Sequence, residues 1–156
     1  MTLPRFAIFA ATAAVLAAPV QAAAPMVHDA WVRLPAVPGR PAAAYFTIMG
    51  MGTADRLVEV SSPLATRTEM HTMAMDAGVM KMLPLPVVAI PARGNVAFAP
   101  GGNHVMLYTL MPAAKLGTPL PLALRFEKAG IILVNAATIA AGDPAPTGNT
   151  SMHDHK

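Results

Sequence analysis

The chain has 156 residues, among them twelve methionines, sixteen prolines and no cysteine, and a formal net charge of +3 with 12% charged residues. Lacking cysteine, it has no disulfide framework, no thiolate ligand and no thiol catalysis. Its arginines and lysines are scattered, and aromatic residues make up 5%, a composition that excludes nucleic acid as a partner.

Residues 1–22 read as a secretory signal peptide. Arg5 precedes an apolar run over 6–20, and small residues follow, placing cleavage near residues 22–24. The run is short for a membrane span, and no later segment reaches the roughly 18 apolar residues a span needs. The mature chain therefore has no predicted membrane span, and its length suits a single domain.

From residue 27 onward, short segments rich in β-formers alternate with proline and glycine turns. Strands are expected over 27–34, 42–49, 56–60, 65–73, 79–83, 87–90, 95–98, 104–110, 120–126 and 131–139. Many short strands at this spacing predict an all-β domain, an antiparallel sandwich or barrel, over 27–140. The prolines oppose long helices. Residues 141–156, AGDPAPTGNTSMHDHK, lose apolar periodicity and are expected to form a flexible tail.

The stretch HTMAMDAGVMKM, residues 71–82, holds one histidine and four methionines. In a strand, residues two apart share a face. His71 therefore shares a face with Met73, Met80 with Met82, and His104 with Met106, while Val105 and Leu107 turn to the core. Met70 has the parity opposite to His71 and is expected in the core. Methionine also fills cores, and one ion cannot use every thioether of this stretch. A thioether is nonetheless soft, neutral and never needs deprotonation, which suits Cu(I) and suits Zn²⁺, Mg²⁺ or Ca²⁺ poorly. Two imidazoles with two thioethers would stabilise the reduced ion without cysteines, which would pair in an oxidising compartment.

His71, ten residues, Met82, twenty-one residues, His104, one residue, Met106: this spacing resembles the H-x10-M-x21-H-x-M signature of the periplasmic PCu(A)C copper chaperones. DAWVR, AAAYFTI, DRLVEVSSP, GVMKM and PGGNHVML resemble the same family, and the likeness spans roughly residues 27 to 139. The resemblance implies a cupredoxin-like, Greek-key β-sandwich that binds one Cu(I) at an exposed site through His71, Met82, His104 and Met106. It implies a periplasmic, monomeric carrier rather than an enzyme, handing copper to a partner such as a cytochrome c oxidase subunit or another oxidase assembly factor. Extra methionines at Met49, Met51, Met73, Met75 and Met80 make Met82 the ligand most easily replaced.

Other readings fare differently. Blue-copper electron transfer needs a cysteine thiolate, which is absent. A copper oxygenase of the N-terminal-histidine type needs a mature chain starting at His28, whereas the expected start is alanine. Copper sequestration or resistance would use the same site and differ only in destination. His28 beside Asp29 reads as an ordinary polar residue at a strand start. In the tail, Met152, His153 and His155, with Asp154, are donors for a second copper site, the imidazoles and carboxylate favouring Cu(II).

Overall fold

Alternation of apolar and polar residues, broken by proline and glycine, produces ten strands and, among the described residues, no helix. The computed structural model describes residues 23–146; the expected signal peptide, 1–22, and the tail donors Met152, His153 and His155 lie outside that range. The strands are β1 (Met26–Arg33), β2 (Ala42–Met51), β3 (Asp55–Ser61), β4 (Ala65–Asp76), β5 (Val79–Pro84), β6 (Val88–Ile90), β7 (Arg93–Phe98), β8 (His104–Leu110), β9 (Leu120–Phe126) and β10 (Gly130–Ile139). Each corresponds to an expected segment. β4 continues past Met73 because Ala77 and Gly78 both take left-handed conformations. That two-residue turn matches the strand twist and pairs Asp76 with Val79.

The hydrogen-bonded order is β5-β4-β8-β2-β1-β10-β9-β3-β6, with β7 also pairing to β2. All pairings are antiparallel except one. β1 runs parallel to β10, Trp31 opposite Ala137, so the sheet is mixed rather than antiparallel throughout. A parallel pair needs a long connection, and nearly the whole domain lies between these two strands. β1 and β10 thereby join two halves whose inner faces share one core. Ala44, Phe46, Ile48 and Leu107 come from one half, and Leu57, Leu122, Leu124 and Phe126 from the other. β9 shows the pattern most plainly, burying Leu120, Leu122, Leu124 and Phe126 at period two. In β3 a bulge between Leu57 and Glu59 shifts the inward positions from Leu57 to Val60. Phe46 and Phe98 pair across β2 and β7 with ring centroids 4.4 Å apart. Gly50 is required on β2, because a Cβ there would lie 1.9 Å from the Pro91 carbonyl oxygen.

Asp55 closes the end of the sandwich away from β4. It is buried, and it accepts hydrogen bonds from the backbone N–H groups of Arg56 at 2.7 Å, Lys128 at 2.9 Å and Ala129 at 2.9 Å. The carboxylate thus ties the start of β3 to the β9–β10 turn. Burial alone would raise its pKa, but these three donors and the Lys128 charge outweigh it and hold the carboxyl below its ordinary value. A lowered folded-state pKa contributes stability that is full above the unfolded value near 3.8 and is lost as pH falls through the folded value. Asp55→Ala should therefore lower the unfolding free energy by about 3 kcal/mol at neutral pH, from unpaired buried donors. In urea titrations the deficit should shrink below about pH 4; an equal deficit at pH 7 and pH 2.5 would contradict this role.

Candidate metal centre

β4 lies against β8 with Met70 opposite Val105, Thr68 opposite Leu107 and His71 directly opposite His104. Met70, Val105 and Leu107 belong to the core. Period two then sends His71 and His104 to the other face, with Glu69 opposite Met106 beside them. The two imidazole rings stack with centroids 6.0 Å apart at 22°. On the far side of β4, β5 places Met82 opposite Met73 and Met80 opposite Met75. Cross-strand partners share a face, so histidines and methionines of three strands form one continuous surface. Met70 is buried in the core, as its parity predicts.

The two imidazoles offer opposite nitrogens. His104 Nδ1 sits 2.9 Å from the Gly102 carbonyl oxygen. A carbonyl only accepts, so Nδ1 carries the proton and Nε2 keeps its lone pair. Gly102 is held in turn by the Met73 N–H, 3.3 Å from the same oxygen. His71 is arranged in the reverse sense. Its Nε2 lies 3.6 Å from a Glu69 carboxylate oxygen, and its Nδ1 is buried with no hydrogen-bond partner. The carboxylate favours the proton on Nε2, which leaves the buried Nδ1 lone pair unused. Glu69 is itself paired with Arg67, whose guanidinium lies 4.0 Å from the centre of the Tyr108 ring. Burial and then the Glu69 charge raise the Tyr108 pKa, against the opposing Arg67.

Among the described residues, no three His, Asp or Glu side chains gather as a metal cluster. Besides the Glu69 carboxylate at His71, the donors along this face are thioethers. His71 and His104 adjoin, and Met106 follows His104 on the same face of β8. Met82 is less direct. It pairs with Met73 rather than with either histidine, and in a flat sheet its Cα would be about 17 Å from that of Met106. For both sulfurs to reach one ion at His71, the β4–β5 ribbon would have to curl toward β8; Met73, next to His71 on β4, needs no such curl. The histidines are also more covered than the exposed site that the resemblance implies, His104 being 5% exposed and the His71 side chain 13%, whereas Met82 is 47% exposed. Sequence reasoning passed over Glu69, although its position two residues before His71 already placed it on the ligand face. His28, expected to be an ordinary polar residue, bonds the neighbouring Asp29 carboxylate at 2.8 Å.

The LpqE-like family model matches residues 26–138. No curated protein matches the chain significantly. Among solved structures, the copper-bound PCuAC domain from PmoF2 is similar at 26% identity and TM-score 0.62, over 74% of this chain and 92% of that domain. Apo-DR1885 from Deinococcus radiodurans is 28% identical with TM-score 0.58, over 90% of this chain and 95% of that one. CuI-DR1885 from the same organism is 31% identical with TM-score 0.51, over 70% and 75%.

The opposed ring arrangement is testable without metal. Long-range ¹⁵N–¹H spectra of the metal-free protein above pH 8 should show His104 as the Nδ1–H tautomer and His71 as the Nε2–H tautomer. Two rings of the same tautomer would contradict the hydrogen-bond assignment.

Proposed function

The chain belongs to the LpqE-like family of PCu(A)C-type copper chaperones, and we propose that it carries one Cu(I) on His71, Met82, His104 and Met106 and surrenders it to a partner by ligand exchange. The observation that carries this reading is the direct pairing of His71 with His104 beside thioethers, with one unused ring nitrogen on each. All four donors are neutral, so a monovalent ion keeps a single positive charge, and the thioethers select the soft, reduced state. Gly102 and Glu69 orient the rings, as outer partners of metal-bound imidazoles do. The thioethers differ in role. Met106 follows His104 on a strand paired on both sides, whereas exposed Met82 on edge strand β5 is the ligand an incoming site displaces first.

The reading extends to place and destination. Residues 1–22 direct export, cleavage falls near residues 22–24, and the carrier works in the periplasm as a monomer. Thioethers suit that compartment because they do not pair as cysteines would. The acceptor is a copper-requiring oxidase subunit or its assembly factor, and the protein performs no catalysis of its own. In the tail, Met152, His153 and His155 take up Cu(II). Electron paramagnetic resonance with one equivalent of Cu(II) tests the tail; identical spectra from the full chain and one ending at Thr150 would exclude it.

The centre is tested by competition against a Cu(I) chelator. His104→Ala should weaken Cu(I) binding by about a hundredfold or more. Met82→Leu should cost about tenfold or less, because Met73 stands next in line. The reverse ranking would refute the proposed ligand roles, and Zn²⁺ binding as tight as Cu(I) would refute the soft centre. Delivery is tested by mixing the loaded protein with an oxidase copper-site fragment. The carrier should load the fragment faster than the same copper held by the chelator; retention of the copper would instead indicate sequestration.

A further inference from the structure

One ion at His71 and His104 leaves the outer half of the β4–β5 hairpin unexplained. Beyond Met73, among the described residues, β4 has β5 as its only strand partner, so the hairpin is an overhanging ribbon with two different faces. One face carries the in-register pairs Met73–Met82 and Met75–Met80. The other carries Ala74 and the Asp76–Lys81 ion pair. The methionines are not core filler, since Met75 is 65% exposed and Met80 47%. A solvated ribbon face would ordinarily be polar; the reverse face also bears exposed Val79 but carries charge at Asp76 and Lys81, whereas the methionine face carries none.

We propose that Met75 and Met80, completed by Met73, form a second soft-metal site made of thioethers alone, which takes Cu(I) or Ag(I) and feeds the histidine centre. Directly opposed residues of an antiparallel pair hold their Cβ atoms about 5 Å apart, and three rotatable bonds let both sulfurs turn onto one ion. Met73 lies one same-face step along β4, about 7 Å at Cα, and supplies a third sulfur. Among the described residues, no carboxylate or imidazole shares this outer part of the face, so its own donors suit Zn²⁺ and Cu(II) poorly. The next same-face residue after Met73 is His71. An ion captured at the tip therefore passes from Met75 and Met80 by way of Met73 to the imidazoles, without change of oxidation state. The feeding role rests on the copper reading of the histidine centre; binding at the tip does not.

The test is a titration of the full chain, labelled with ¹³C at the methionine methyls, with Ag(I) as the probe. Met82 and Met106 should respond with one equivalent, and Met75 and Met80 with a separate one. Met75→Leu/Met80→Leu should abolish the second response while leaving the affinity at Met106 within about twofold, leucine being a volume-conserving replacement. His104→Ala should do the converse, keeping the Met75 and Met80 response. Unmoved Met75 and Met80 methyls, or shifts that track Met106 and vanish in His104→Ala, would overturn the second site. A response at Met75 and Met80 with none at Met106 would instead overturn the histidine centre and leave the tip site standing. For the feeding role, the double variant should load Cu(I) from a chelator several-fold more slowly to the same final occupancy at Met106; an unchanged rate would overturn it.

Discussion

A slip of β4 by one residue would turn His71 into the core and expose Met70, and a slip of β8 would do the same with His104 against Val105 and Leu107. Because side chains alternate strictly, a register held by burial on one face fixes the other face as well. Val105 and Leu107 are fully buried, and Met70 is nearly so. Burying a side chain of this size contributes roughly 1.5–3 kcal/mol, so the wrong register forfeits several such terms at once. The apolar core thus holds the imidazoles opposite one another, and no metal is needed to bring them there. Everything on the ligand face, from Glu69 to Met82, takes its place from that alignment.

A centre assembled this way differs from one built for tight, permanent retention. Its donors are neutral, one nitrogen of each ring is committed to the protein, and the other is left for the ion. The rigid part lies on β8, which pairs with both β4 and β2. The adaptable part lies on the β4–β5 ribbon, where the methionines are exposed and the strand partner is single. Cargo exchange needs this combination of a preorganised half and a displaceable half. In the proposed centre the covered histidines on β4 and β8 and the exposed Met82 on β5 would divide those tasks. The methionine pairs Met73–Met82 and Met75–Met80 continue the same soft surface outward along the ribbon.

The ten strands were legible because period-two alternation and proline or glycine turns mark each one locally. Met70 as a core residue and His104 with Met106 on one face followed from parity within single strands. The parallel β1–β10 pairing was not legible, because nothing local in either strand encodes a partner nearly the whole domain away. Glu69 beside His71 was available to parity but carries no soft-metal signal of its own. The likeness to the copper chaperones came from spacing along the chain. It named Met82 without indicating that Met82 would stand across from Met73.

What the sequence by itself determined is therefore local: strand positions, the face of each side chain, and a donor set of soft, neutral groups without thiols. Tertiary structure alone decided which faces meet. It set His71 directly against His104, covered both rings, engaged a different ring nitrogen of each, and left the methionine ribbon projecting past the last pairing with β8. The physical reason is that parity is a property of one strand, whereas register between strands is chosen by the apolar surface that all of them bury together.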